Sequence, residues 1–325
     1  MREASARFAG QRAVVFGGAG FLGSHLCEAL LNEGAQVVSV DNLLTGRPEN
    51  HHHLLARPGF RFLEADLSEG VALEGRVDAV FNLASPASPI DYAQLPLETL
   101  KVGSQGTWNA LELALRHRAR FLQASTSEVY GDPLEHPQQE AYWGNVNPVG
   151  PRACYDEAKR FGEALCTSFS RVHGLPVRIA RIFNTYGPRM RLDDGRVVPA
   201  FLSQAAAGRP LTVFGDGSQT RAFCYVDDLI EGLLRLSLSD AEGPVNLGHP
   251  GEIPLLTLAE AVGAVVGRPP TLRHLPLPED DPRRRRPDIT RARELLGWEP
   301  TVPLDEGLRA VWAWMQTLEG DPAAP

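Results

Sequence analysis

The sequence predicts an α/β fold, a doubly wound parallel sheet with a smaller C-terminal substrate-binding domain interleaved with it. Three observations carry that expectation. The apolar run RAVVF at residues 12–16 ends in glycines and reads as a buried strand. Phe21 to Asn32 follows with helical periodicity, placing Leu22, Leu26, Ala29 and Leu30 on one face, and Gly34 stops it. QVVSVD at residues 36–41 is a second strand. Strand, glycine turn, helix and strand make a βαβ unit, and that unit implies parallel pairing.

The pattern recurs at Val80–Leu83 and Arg120–Ala124, which read as further strands. After about residue 185 the texture changes. YGPRM, DDGRVVP, GRP and FGDGSQT bring frequent Pro and Gly between helices. Residues 1–185 are therefore expected to form the nucleotide-binding part and residues 186–325 mainly the substrate domain. Ala222–Leu236 reads as a return to the first part, so about 222–245 is assigned to it. The tail GDPAAP is expected to fray.

Composition bounds the function. The 325 residues are 43% hydrophobic and 22% charged, with a formal net charge of −8. That balance is globular and gives no broad basic face for nucleic acid. Cys27, Cys154, Cys166 and Cys224 lack CxxC spacing and read as reduced thiols in or near the core. The N-terminus has no apolar leader, and no run of about 18 apolar residues occurs. The expectation is a soluble, cytoplasmic chain with no membrane segment.

Residues 17–23, GGAGFLG, space Gly17, Gly20 and Gly23 as GxxGxxG between the first strand and the first helix. Glycines there permit a tight turn and let backbone N–H groups approach a pyrophosphate at the helix N-terminus. Asp41 ends the second strand, 18 residues after Gly23. A carboxylate at that place suits a free ribose 2′-hydroxyl and repels a 2′-phosphate, so NAD is expected rather than NADP. Asp66 reads equally well as an adenine contact or as a helix N-cap.

Tyr155 and Lys159 lie four apart on a predicted helix and share a face. A phenol near pKa 10 is a poor base at neutral pH, about three units too weakly acidic. A neighbouring ammonium and a positive nicotinamide ring both favour the phenolate, so the pair can act as a general base. A Ser/Thr cluster, STS at residues 125–127, precedes it by about 30 residues and leads into Glu128.

Longer strings now align with a known family. GGAGFLGSHL, VDN, TGR, NLASPASP, ASTSEVYGDP, NPVGPRACYDEAKR, ARIFNTYGPRM, GSQTRAF and RRRPDI occur in this order along the chain. The chain resembles the extended short-chain dehydrogenase/reductases of the Rossmann type that act on nucleotide sugars. More narrowly, it resembles the UDP-glucuronate decarboxylases, or UDP-xylose synthases. The resemblance implies Thr126, Glu128, Tyr155, Lys159 and Arg285 as catalytic residues, with Ser125 near the sugar. It extends the cofactor set to Phe21, Leu22, Asn42, Thr45 and Gly46, and to Leu67, Leu83 and Ser85.

The implied chemistry is an oxidation at carbon 4 of UDP-glucuronate, with Tyr155 taking the hydroxyl proton and NAD the hydride. The 4-ketone makes the carboxylate a β-keto acid, carbon dioxide leaves, carbon 5 is protonated, and the returned hydride gives UDP-xylose. Related dehydratases carry an aspartate where Ser127 stands, which argues against dehydration here; related 4-epimerases usually lack the glutamate. A 4-epimerase and a catalytically silent NAD-binding scaffold are the alternatives.

Asn184 and Arg221 suit diphosphate oxygens, with loop hydrogen bonding as the other reading. Lys101, by resemblance, contacts the glucuronate carboxylate. Phe214 stacks on uracil or packs in the core. In the charge run at 280–288 only Arg285 is given a site role; Arg283, Arg284 and Arg286 read as solvated. The triplet His51, His52 and His53 reads as a solvated loop, and no metal site is expected. Trp312 and Trp314 read as packing. Two departures from the family pattern stand out: Phe16 in place of a threonine, and Lys101-Val102-Gly103 in place of Lys-Thr-Asn. A homodimer joined through Leu97–Arg116 and Ala153–Val172 is the further implication of the resemblance, and internal packing explains the same apolar faces.

Overall fold

A computed structural model describes residues 6–276 and 284–319. Seven strands form one sheet. In chain order they are β1 (Arg12–Phe16), β2 (Gln36–Asp41), β3 (Phe60–Glu64), β4 (Ala79–Asn82), β5 (Arg120–Thr126), β6 (Val177–Ile182) and β7 (Pro244–Leu247). Their spatial order is β7-β6-β5-β4-β1-β2-β3, and every pairing is parallel. The order reverses at β1, so a crevice opens beyond the C-terminal ends of β1 and β4, where ligands bind in such sheets.

The strand sequences follow from burial on both faces. Ala13, Val14 and Val15 are all fully buried, which is why β1 reads as continuous apolar sequence rather than an alternation. Ala13 and Val15 point into one cluster with Leu26, Leu30, Leu229 and Leu233, carried by the Phe21–Asn32 and Val226–Leu238 helices. Val14 and Phe16 point into the other with Leu111, Cys166 and Phe169, carried by the Thr107–His117 and Ala153–His173 helices. Each buried Leu or Phe contributes about 1.5–3 kcal/mol relative to exposure.

Phe16 is thus core: its ring is 1% exposed and its carbonyl accepts from Leu83 N at 2.9 Å. The expected strand at 80–83 begins one residue earlier, and the one at 120–124 continues to Thr126. The His triplet departs from expectation. It forms a 3-10 turn, Pro48–Leu54, and His51 is buried against the Phe60 and Phe62 rings while its two neighbours are exposed. Turn geometry, not solvation, decides its position.

Beyond residue 185 the chain builds the Val197–Ala206 and Leu255–Val266 helices and a parallel pair, Leu211–Phe214 with Leu272–Leu275. Phe201, Leu202, Leu258 and Val262 share the first cluster, so the core runs on from the sheet without a break. Trp312 and Trp314 pack against the same cluster. Arg283 and the tail GDPAAP lie outside the described residues.

Candidate active site

The cradle is built at the ends of β1, β2 and β4. Gly17 has φ 76°, and a Cβ there would stand 2.8 Å from the Ala84 nitrogen. A Cβ on Gly23 would stand 2.0 Å from the Gly17 carbonyl oxygen. Only glycine lets the helix start this close to the sheet. Gly20 precedes the first helical residue and offers no side-chain cap, so the N–H groups of Phe21 and Leu22 begin the helix. That end is suited to anionic oxygens.

Asp41 is 9% exposed and accepts from Ala19 N at 3.0 Å and Leu43 N at 2.9 Å. Burial raises its carboxyl, and those two donors oppose the rise. Gly46 packs on it; a Cβ there would reach Asp41 Oδ1 at 2.7 Å. Thr45 lies in the same loop. Asp66 caps the Leu67–Glu69 turn through Ser68 N at 2.8 Å, and its other oxygen accepts from Asn42 at 3.3 Å. Leu83 and Ser85 continue past β4, with Ser85 donating to the Pro86 carbonyl at 3.0 Å. This close-walled glycine turn, with a carboxylate fixed at the end of β2, fits a dinucleotide.

The second half of the site hangs from β5 and the Ala153–His173 helix. β5 ends at Thr126, whose hydroxyl accepts from Glu128 N at 3.2 Å and so folds Ser127–Tyr130 into a tight turn. Tyr155 is 7% exposed and stacks on Tyr92 at 5.0 Å between ring centroids. Burial pushes its phenol up to about 12, and hydrogen bonding with the Thr126 hydroxyl acts the other way. Lys159 donates to the Ala124 carbonyl at 3.0 Å, and its ammonium stands 5.6 Å from the Tyr155 ring centroid. Burial pushes it down to about 8.

Glu128 is enclosed by two guanidiniums. Arg285 engages it bidentately, Nη1 to Oε1 at 2.5 Å and Nη2 to Oε2 at 2.8 Å. Arg152, the residue before the Tyr155 helix, donates Nη2 to Oε2. Burial alone would raise the carboxyl, but Arg285 and Arg152 outweigh it and hold it below the usual carboxylate value. Arg285 reaches this place because its segment is tied down: Gln138 N donates to the Arg286 carbonyl at 2.9 Å, and Asp288 N to the Gln138 carbonyl at 2.9 Å. Asn246 of β7 donates to both the Gln138 and Asp288 carbonyls, at 3.0 and 3.1 Å.

A family model, the NAD dependent epimerase/dehydratase family, matches residues 13–248. The chain belongs to that family. Within it, the chain is 54% identical to UDP-glucuronic acid decarboxylase 1 of Arabidopsis thaliana over 91% of this chain and 68% of that one. It is 52% identical to UDP-glucuronic acid decarboxylase 1 of Danio rerio, over 92% and 71%. Among solved structures it resembles a UDP-glucuronic acid 4-epimerase from Bacillus cereus in complex with UDP-glucuronic acid and NAD, with TM-score 0.84 and 30% identity over 95% of this chain and 100% of that one.

In this member of the family, the structure gathers Thr126, Glu128, Tyr155, Lys159 and Arg285, and adds three residues that motif reading passed over. Arg152 completes the Glu128 clamp, Tyr92 forms one wall of the Tyr155 pocket, and Asp156 is a buried carboxyl beside them. The signal for Arg152 lay in RACY, three residues before Tyr155. Arg221 is buried and its charge reaches Glu128; its Nη1 also donates to the Thr220 carbonyl at 2.9 Å. Asn184 is half-buried just past β6, and its carbonyl accepts from Cys224 N at 2.9 Å. Phe214 is exposed at the end of its strand. Ser125 turns under the sheet, where its hydroxyl donates to Glu163 at 2.6 Å. The structure does not bring Lys101 to this group: its ammonium is exposed and pairs with Glu69 at 2.5 Å.

Proposed function

We propose that this chain is an NAD-dependent UDP-glucuronate decarboxylase, forming UDP-xylose and carbon dioxide through a 4-keto sugar with the cofactor recycled. The observation that carries the reading is the Glu128 clamp beside Tyr155. Two guanidiniums from distant segments converge on one buried carboxylate beside the Tyr155 pocket, which suits them to a substrate that carries a carboxylate of its own. More than half of the positions are shared with relatives named UDP-glucuronic acid decarboxylase. The 4-epimerase likeness stands at 30% identity.

Gly17, Gly20, Gly23 and Asp41 would hold NAD, and Lys159 and Tyr155 would face its reactive end. When bound, NAD accepts and returns a hydride at carbon 4, and its charged ring favours the phenolate. Tyr155 draws the 4-hydroxyl proton, with the Lys159 ammonium stabilising the phenolate. The resulting ketone is β to the carboxylate, so carbon dioxide leaves as its bonding pair delocalises on to the carbonyl oxygen. The Thr126 and Tyr155 hydroxyls stabilise that oxygen. Asn184 and Arg221 are assigned to the diphosphate and Phe214 to uracil.

We assign residues 1–185, with 222–245, to the cofactor and the rest of 186–325 to the UDP-sugar. The pairing of β7 with β6 supports that split. The four unpaired cysteines support a reducing, cytoplasmic setting. Exposed Leu97, Leu100, Trp108, Phe161 and Val172 support a homodimer.

The test is purified protein with UDP-glucuronate and no added NAD, followed by mass spectrometry and carbon dioxide release. UDP-xylose and carbon dioxide in equal amounts, without net NADH, are expected. If no carbon dioxide forms with or without NAD, the reading fails; inversion at carbon 4 would then identify an epimerase.

A further inference from the structure

We propose that Asp156 stores the proton that carbon 5 takes up after carbon dioxide leaves. This rests on the decarboxylase reading above. The reaction has a proton balance that the catalytic set leaves open. Loss of carbon dioxide from a carboxylate leaves an electron pair, and forming the new C–H bond consumes one proton per turnover. Tyr155 cannot be its source, because the proton it draws from the 4-hydroxyl must return to that oxygen when the ketone is reduced. Glu128 cannot, because Arg285 and Arg152 occupy both of its oxygens. Lys159 must keep its proton to hold the phenolate.

Asp156 differs from Glu128 in every one of these respects. It follows Tyr155 directly in the first turn of the helix and is 6% exposed. Its Oδ1 is buried without a hydrogen-bond partner. Glu128 and Glu157 face it with like charge, Arg152 and Arg285 with opposite charge, and the Tyr92 and Tyr155 phenols lie within electrostatic reach. The helix N-terminus favours its anion. The outcome is nevertheless a carboxyl raised by burial, then by Glu128, to about 7. A buried carboxyl with one unpartnered oxygen, beside an ion-paired carboxyl, is the arrangement in which two acids take different roles.

The substrate supplies the timing. Its carboxylate adds a negative charge next to the same guanidiniums, which drives Asp156 to its neutral form. The C5–carboxylate bond then breaks and its pair enters the enolate. Carbon dioxide carries no charge, so the negative charge passes from the carboxylate to the enolate, whose carbon 5 becomes the base that draws the Asp156 proton. The Asp156 O–H bond breaks, the proton passes to carbon 5 directly or through water, and the enolate pair forms the C–H bond. Asp156, now a carboxylate, regains a proton from solvent before the next turnover.

The test uses the full chain with its cofactor. On a Tyr155→Phe background, which blocks oxidation, UDP-glucuronate is mixed with protein and a pH indicator in weak buffer at pH ~7.5. Uptake of up to about one proton per site is expected. It should be largely lost when Asp156→Asn is added, restored in part by Asp156→Glu, and absent with UDP-xylose, which has no carboxylate. With Tyr155 present, Asp156→Asn should lower UDP-xylose formation by about 10- to 100-fold, and the enol that escapes should take its C5 proton from water, giving UDP-4-ketopentose with one NADH left per molecule. The variant's kcat/KM should also lack the fall expected of the parent as pH rises past about 7, the free protein's value for Asp156. Equal proton uptake with and without Asp156, or an unchanged pH profile, would overturn the proposal. If the parent releases no carbon dioxide at all, the decarboxylase reading fails on its own account, and the proton-uptake comparison still reports on Asp156.

Discussion

At the scale of single residues, two carboxyls a few side chains apart respond to pH in opposite senses. Glu128 is held below its usual value of 4.5, so its stabilisation is present above that value and is lost as pH falls through the lower folded value. Removing its charge strands two buried guanidiniums, a loss of about 3–5 kcal/mol. Glu128→Gln should therefore lower the melting temperature at pH 7, with a deficit that narrows in strong acid, and should depress decarboxylation far more than NAD binding. A melting temperature equal to the parent's at pH 7 would mean the clamp does not exist in solution. Asp156 is raised from 3.8 to about 7, so its favourable state is present below 3.8 and is lost as pH rises through about 7. Asp156→Asn should raise the melting temperature at pH 8 and leave it unchanged near pH 4; a loss at pH 8 would contradict the raised value of this buried carboxyl. Tyr155 and Lys159 were legible in the sequence because their role requires a fixed four-residue spacing. The partners of Glu128 were less legible, because Arg152 and Arg285 reach it from 24 and 157 residues away.

At the scale of elements, β1, the Phe21–Asn32 helix and β2 were legible to the residue because apolar runs and glycines bound them on both sides. β3 and β6 were not. FRFLE sits at the edge of the sheet and carries an exposed Arg61, and VRIARI is broken by two arginines. In β6 those arginines are satisfied locally, Arg178 by the Ser239 carbonyl at 2.6 Å and Arg181 by Glu163 at 2.7 Å, so they interrupt the pattern without interrupting the strand. The Gly103 departure likewise gains a reason only from packing. It lies in a π-helical turn, Val102–Gly106, and a Cβ there would stand 2.6 Å from the Ala158 Cβ, on the helix that carries Tyr155 and Lys159. Gly103→Ala should cost about 1–3 kcal/mol and lower turnover by displacing that helix, and Ala158→Gly in the same chain should recover both. Denaturant unfolding of the two single variants and the double variant measures the coupling. Strict additivity would mean the two residues do not touch.

At the scale of the whole molecule, the helix that positions the base also presents an apolar outer face. Phe161 and Val172 are eleven residues apart, three helical turns, and therefore lie on one side of the Ala153–His173 helix; both are exposed. Leu97 and Leu100 on the adjoining Pro96–Lys101 helix, and Trp108 on Thr107–His117, are exposed as well. Cys166 and Phe169 of the same long helix are buried, so the outer residues are not needed to fill this chain's own core. Two copies related by a two-fold axis would bury the face as a four-helix contact, which pairs each helix with its equivalent. Such a contact would also brace the Tyr155 helix from outside, where the Gly103–Ala158 approach leaves little slack. Sedimentation equilibrium should return a dimer, and Leu97→Glu with Phe161→Glu should return a folded monomer, because charges at both patches leave the inner face untouched. The monomer should melt lower and turn over more slowly while keeping the Glu128 pH dependence, since that depends on contacts within one chain. A monomeric parent protein would instead leave this face without a second copy and would remove the brace from the account of how Tyr155 is held.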